Sequence, residues 1–204
     1  MVIKEVSLDI VCGVTSTLPD TGKPEVAFAG KSNVGKSSLI NMLTGQRKLA
    51  MTSSKPGKTR LVNHFLINRQ WYLVDLPGYG FANVSQTEKQ KIARIIRDYI
   101  NLSPELVMLF VLIDSRHEIG QVDMDFLFEL GEGQIPFAIV FTKGDKMGPM
   151  ALAEKIESHK AQILEHWEEL PPVFVTSSET GLGKEELLDY IGEVLESIKD
   201  NSNN

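Results

Sequence analysis

The stretch AFAGKSNVGKSSLINML, residues 27–43, decides the fold. It opens on an apolar run, bends through Gly30 and Gly35, and closes on a helical pattern. Residues 30–37, GKSNVGKS, fit the pattern G-x-x-x-x-G-K-[ST] without a gap. The chemistry behind that spacing is phosphate binding. Glycine lets the backbone curl until several N–H groups point inward at phosphate oxygens. The N-terminus of the following helix adds its positive end. Lys36 then reaches the β- and γ-phosphates, and the Ser37 hydroxyl takes a place on Mg²⁺. The match lies between an expected strand and an expected helix, the context the motif requires. A chance turn rich in glycine and lysine is the plain alternative. Asn33, at the apex of the loop, either eases the turn, because asparagine tolerates unusual backbone angles, or offers its carbonyl oxygen to a ligand.

Outward from this loop, apolar runs alternate with helix-like stretches. PEVAFAG reads as a buried strand and KSSLINMLTG as a helix closed by Gly45. RLVNHFLIN and QWYLVDLPG read as two strands of a hairpin joined at Asn68-Arg69. Ser85 followed by Glu88 is a capping-box signature, and Ile92, Ile95, Ile96 and Tyr99 then form one apolar face. ELVMLFVLID is expected as a central strand, QVDMDFLFELG as a helix ending at Gly131, and IPFAIVFTK as a strand. An amphipathic helix over MALAEKIESHKAQILEHW, the strand PPVFVTSS and the helix GKEELLDYIGEVLESIK complete the order. The N-terminal MVIKEVSLDIVCGV reads as a strand. The pattern predicts a three-layer α/β fold: a mainly parallel sheet with one antiparallel edge strand and helices on both faces. One domain over residues 1–200 and a frayed tail over 201–204 are expected.

The chain has 204 residues, 42% of them hydrophobic and 24% charged, as in an ordinary soluble domain with a full core. No apolar run approaches a membrane span, so no membrane partner is expected. The lone Cys12 has no internal disulfide partner, which favours a cytoplasmic protein. Net charge is −6, but residues 46–60, QRKLAMTSSKPGKTR, hold five basic residues and no acidic one. Such a segment is either a solvated loop or a local contact with a polyanion.

Two further motifs end expected strands. TKGD, residues 142–145, puts a carboxylate, Asp145, where it can accept from both N1–H and the exocyclic amine of guanine. Adenine offers no such donor pair and would be rejected. Lys143 would lay its stem along the base. DLPG, residues 75–78, places Asp75 to hold Mg²⁺ through water and Gly78 to offer its N–H to a γ-phosphate.

Together GKSNVGKSSLIN, TSSKPGKTR, DLPGYGFA, TKGD and SSETGLG resemble the EngB (YsxC/YihA) family of bacterial ribosome-assembly GTPases, of the TRAFAC class. The motifs span about three quarters of the chain, from Gly30 to Gly183. The resemblance implies a GTP-hydrolysing switch in assembly of the large ribosomal subunit, linked in the family to septation. It implies a monomer that binds GTP and GDP with Mg²⁺. It carries nucleotide contacts onto Gly30, Lys31, Ser32, Asn33, Val34, Gly35, Lys36, Ser37 and Ser38. It adds Gly57, Lys58, Thr59, Arg60 and Leu61, then Asp75, Leu76, Pro77 and Gly78. Thr142, Lys143, Gly144 and Asp145 follow, with Thr176, Ser177 and Ser178 bordering the guanine. Thr59 would be the switch threonine, on Mg²⁺ and the γ-phosphate, and Lys36, Thr59, Gly78 and Asn33 would form the catalytic set. Thr142 departs from the commoner asparagine, but its hydroxyl can still bond neighbouring loops.

The basic segment then falls in the first switch, where it could bind ribosomal RNA in one nucleotide state only. Tyr79 and Phe81 fall in the second switch, either as core or as partner contacts. Small regulatory GTPases carry a water-positioning glutamine at the position of Tyr79. Slow intrinsic hydrolysis is therefore expected. His64 and His117 are candidate helpers, although lone histidines are more often structural. By the same resemblance, some GTPases with asparagine at the Asn33 position are stimulated by K⁺. The alternative function is a nucleotide-gated RNA-binding module whose hydrolysis is incidental. A P-loop kinase would need a phosphoryl-acceptor site and a lid, and neither is found.

Overall fold

Every residue of the strand β2 (Glu25–Gly30) is buried, because the strand runs through the middle of the sheet with helices on both sides. The computed structural model describes residues 1–13, 18–50, 61–80 and 84–202. Its seven strands also include β1 (Val6–Cys12), β3 (Val62–Ile67), β4 (Trp71–Asp75), β5 (Leu106–Asp114), β6 (Phe137–Thr142) and β7 (Val173–Val175), in the order β1-β3-β4-β2-β5-β6-β7. β2, β4, β5, β6 and β7 run parallel. β3 is antiparallel to both β1 and β4. The sheet is thus mainly parallel with one antiparallel strand. That strand lies one place in from the edge, because β1 pairs with its outer side.

Among the described residues five helices cover the sheet: α1 (Lys36–Thr44), α2 (Gln86–Leu102), α3 (Gln121–Glu132), α4 (Pro149–Leu164) and α5 (Lys184–Ser202). Successive strand residues point to opposite faces. Leu109, Val111 and Ile113 of β5 therefore join a core with α2, α3 and α4, while Phe110 and Leu112 join one with α1 and α5. No described helix is long and apolar enough to cross a membrane.

Local chemistry explains the boundaries. Gly45 closes α1 at φ 67°, a left-handed angle that costs glycine little. The β3–β4 turn puts Asn68 at φ 49° and Arg69 at φ 60°, and Gln70 N–H donates to the Ile67 carbonyl at 2.9 Å. Those are the angles of a hairpin turn matched to the twist of its strands. Ser85 Oγ caps α2 by accepting from Glu88 N–H at 3.2 Å. Two expectations need correction. α3 continues through Gly131 to Glu132. A Cβ at Gly131 would meet Trp167 Nε1 at 3.5 Å, an ordinary van der Waals distance, so the glycine neither ends the helix nor is required by that neighbour. α5 runs on to Ser202, so 201–202 belong to the helix, while 203–204 lie outside the described residues.

His64 is wholly buried, with Nε2 3.2 Å from Glu25 Oε1. Tyr99 and Ser103 donate to Glu25 Oε2 at 2.7 and 2.9 Å. Burial alone would raise the Glu25 carboxyl, but the contacts with His64, Tyr99 and Ser103 outweigh it and hold the group below its ordinary value. His64 thus ties β2, β3 and α2 together in the core and is in no position to assist a water. His117 follows β5, and its backbone N–H donates to the Asp114 carbonyl at 3.3 Å.

Candidate functional site

The parallel strands deliver their C-terminal ends to one rim, where ligands of open α/β sheets bind. β2 ends in the loop from Gly30 to Gly35, and α1 begins at Lys36. The loop turns through two left-handed residues, Asn33 at φ 64° and Gly35 at φ 106°. Asparagine is among the few side chains that accept such an angle, so easing the turn is one thing Asn33 does. Its side chain is exposed, and no bond to it is found among the described residues.

Lys36 extends from the first turn of α1 to form an ion pair with Asp75, the last residue of β4. Both are almost fully buried, so each depends on the other for its charge to be tolerated. Gly78 lies against the loop: a Cβ there would be 3.3 Å from the backbone N and the Oγ of Ser32. Ser32 Oγ is itself buried without a hydrogen-bond partner among the described residues. Leu76 is less accessible than the sequence reading has it. Its side chain is fully buried and its N–H donates to the Phe28 carbonyl at 3.1 Å, leaving only its own carbonyl for a ligand.

A few residues along the rim, Thr142 closes β6 and Lys143 turns left-handed at φ 62°. Thr142 Oγ1 donates to the Val34 carbonyl at 2.6 Å, so the hydroxyl does bond the neighbouring loop. Lys143 Nζ donates to the Asn33 carbonyl at 2.7 Å and to Asp114 Oδ2 at 2.8 Å. Asp114 also receives the Arg116 side chain through both carboxylate oxygens. Burial would raise the Asp114 carboxyl, but Arg116 and Lys143 overcome that and hold it far below the usual carboxylate range. Asp145 sits in the short 3-10 turn Gly144–Lys146. It pairs with Lys146 at 2.8 Å and accepts from Ser177 Oγ at 2.6 Å, and both contacts lower its pKa. The Gly144 N–H donates to the Thr176 carbonyl at 3.0 Å.

The structure therefore brings together the loop at 30–38, Asp75 to Gly78, Thr142 to Asp145 and Thr176 to Ser178. Leu61 is exposed, and Gly57, Lys58, Thr59, Arg60 and Phe81 lie outside the described residues. Sequence reasoning does not single out Asp114 or Asp123. The signal that could have found Asp114 is a carboxylate ending a central apolar strand, the same signal that marks Asp75. Among the described residues no cluster of His, Cys, Asp and Glu forms a metal site from protein groups alone.

A phosphate loop at the head of α1, a lysine bound to a strand-end aspartate and a TKGD turn at the same rim define a P-loop GTPase. The model of the 50S ribosome-binding GTPase family matches residues 25–143. The probable GTP-binding protein EngB of Porphyromonas gingivalis is 59% identical over 88% of this chain and 90% of its own length. That of Christiangramia forsetii is 53% identical over 88% and 91%. A crystal structure of a probable GTP-binding protein engB superposes with a TM-score of 0.68 at 27% identity, covering 85% of this chain and 99% of that one. Era in complex with MgGDPNP and a segment of 16S ribosomal RNA superposes at 0.66 and 25% identity, over 82% of this chain and 55% of its own. The chain belongs to the EngB family of GTP-binding proteins and is a GTPase.

Proposed function

We propose that this GTPase is a switch in assembly of the large ribosomal subunit, with a link to septation, and that its basic first switch contacts ribosomal RNA. The carrying observation is the way the start of that segment is held. Asn41 of α1 brackets Ala50, donating to its carbonyl at 3.0 Å and accepting from its N–H at 2.8 Å. The bracket pins 46–50 and leaves Arg47 and Lys48 exposed, with no ion-pair partner among the described residues. The description of the matching family and the RNA bound to the Era neighbour support the same reading. The protein acts as a cytoplasmic monomer built as one domain.

In the proposed site, Asp145 takes the guanine edge, with Lys143 along the base and Thr176 to Ser178 at its border. Among the described residues Ser37 and Asp75 fit Mg²⁺, beside the loop that holds the unpartnered Ser32 hydroxyl: Ser37 would hold the ion directly and Asp75 through water, and Thr59, outside the described residues, would join them. When bound, the ion supplies positive charge against the phosphates. Water attacks the γ-phosphorus, the bond to the β–γ bridging oxygen breaks, and GDP and phosphate leave. Lys36 exchanges Asp75 for the phosphates and balances the charge that collects on the bridging oxygen. Gly78 offers its N–H to the γ-phosphate. The Asn33 amide oxygen would join a K⁺ site beside the phosphates.

The test is capture of ribosomal particles with GDP or a non-hydrolysable GTP analogue bound. Capture is expected with the analogue, and replacing Arg47, Lys48 and Lys55 by alanine should weaken it. For each phosphate that the variant no longer neutralises, the log–log salt slope should flatten by roughly 0.7 to 0.9. An unaltered slope would leave the segment a solvated loop. Turnover that stays flat on adding particles, while capture still follows GTP, would favour the RNA-binding module over the switch.

A further inference from the structure

Tyr79 stands where a water-positioning glutamine would be expected, and its side chain goes elsewhere. The ring packs on α3, 5.0 Å from the ring of Phe126, and the hydroxyl donates to Asp123 Oδ1 at 3.2 Å. Asp123 and Phe126 are one turn apart on the same helix face. The second carboxylate oxygen of Asp123 meets Lys31 Nζ at 2.7 Å, and the Asp123 side chain is only 5% exposed. Lys31 belongs to the phosphate loop. One buried carboxylate therefore joins that loop to the residue after Gly78. The backbone closes the same circuit: Tyr79 N–H donates to the Gly30 carbonyl at 3.2 Å, and Ser32 N–H donates to the Tyr79 carbonyl at 2.9 Å. Burial and the Asp123 charge push the Tyr79 phenol well above its ordinary value, so it remains a donor throughout the working pH range.

We propose that Lys31, Asp123 and Tyr79 form a clasp that fixes Gly78 against the phosphate loop, making all three positioning residues for telling GTP from GDP. This rests on the reading that the Gly78 N–H meets the γ-phosphate. The clasp pins the segment at its Tyr79 end, and that link does not have to break when a nucleotide takes Lys36 from Asp75. A donor already held in place costs little ordering when its ligand arrives. GDP has no third phosphate and gains nothing from that order. The clasp therefore strengthens GTP binding selectively, and Tyr79 serves the γ-phosphate through the backbone without touching water.

The full chain is titrated calorimetrically with GDP and with a non-hydrolysable GTP analogue, each with Mg²⁺. Tyr79→Phe keeps the ring on Phe126 and removes only the hydroxyl, and Asp123→Asn removes the shared charge. Each should weaken the analogue roughly tenfold while moving GDP by less than about twofold. The double variant should be little worse than Asp123→Asn, because both changes cut one link. A merely structural role would weaken both nucleotides together, and that result, or an unchanged analogue-to-GDP ratio, overturns the clasp. Gly78→Ala separates the two ideas. If it collapses the ratio while Tyr79→Phe and Asp123→Asn leave it intact, the clasp fails and the γ-phosphate reading stands. If it leaves the ratio unchanged, the reading itself fails and takes the clasp with it.

Discussion

At the Asp145 end of the site, Asp145, Lys143 and Thr142 already have protein partners that a nucleotide need not displace. Ser177 and Lys146 hold Asp145, Asp114 and the Asn33 carbonyl hold Lys143, and the Val34 carbonyl takes the Thr142 hydroxyl. At the Lys36 end the arrangement is the reverse. Lys36 and Asp75 neutralise each other, and each must change partner for the chemistry proposed here. The contrast suits what each end is proposed to do. Recognition of one base gains from groups fixed beforehand, because ordering them on binding would cost affinity. A switch needs contacts that can be exchanged, because a ligand shifts an equilibrium only through contacts that differ between its two states.

The largest expected effect breaks the fixed end. Asp145→Asn removes the carboxylate that would accept from guanine N1–H and its exocyclic amine. GTP affinity should fall by at least about a hundredfold, and xanthosine triphosphate should gain, since its extra carbonyl suits an amide donor. Paired titrations with GTP and XTP read both changes. Unchanged GTP affinity would remove Asp145 from the site.

The exchanging end is addressed by salt. With no side chain from the second switch placed to orient water among the described residues, charge near the phosphates has to come from elsewhere. Turnover is expected to be about tenfold faster in potassium than in sodium at equal ionic strength. The difference should vanish in Asn33→Ala. Equal rates in the two salts would leave Asn33 as the left-handed turn residue it already is.

How much of this is legible in the sequence depends on distance along the chain. The loop at 30–37, the hairpin turn at Asn68-Arg69 and the Ser85 cap are local chemistry, and each lies where the sequence places it. Thr142 reads as able to bond a neighbouring loop, and it does. Pairings between remote residues escape such a reading. Nothing in the local pattern around Asp123 announces Lys31 or Tyr79, because only the packing of α3 beside the phosphate loop brings them together. Glu25 reads as an ordinary strand residue, and His64 as either a candidate helper or a structural histidine, until the sheet aligns them in the core. Gly131 shows the same limit from the other side: a helix-ending residue by type, it lies inside α3. β1 reads as a strand, but its partner does not show in the pattern, and so the antiparallel strand is expected at the edge without β1 on its outer side.

The smallest expected effect sharpens the comparison by asking whether the two ends form one body. Thr142 Oγ1 reaches the Val34 carbonyl at 2.6 Å, and Thr142 is only 4% exposed. This bond joins the strand that carries Lys143 and Asp145 to the loop proposed to hold the phosphates. Thr142→Val keeps the shape and removes the hydroxyl, leaving a buried carbonyl without its donor, a loss of about 1–3 kcal/mol in stability. Thermal melting should show that loss directly. If the bond makes the loop and the base turn a single preformed unit, GDP and a GTP analogue should weaken alike, by about fivefold. Both nucleotides span the two ends equally, and the third phosphate lies beyond the link. A loss confined to the GTP analogue would instead place Thr142 among the exchanging contacts, and the division between a fixed end and an exchanging end would have to be redrawn at Val34.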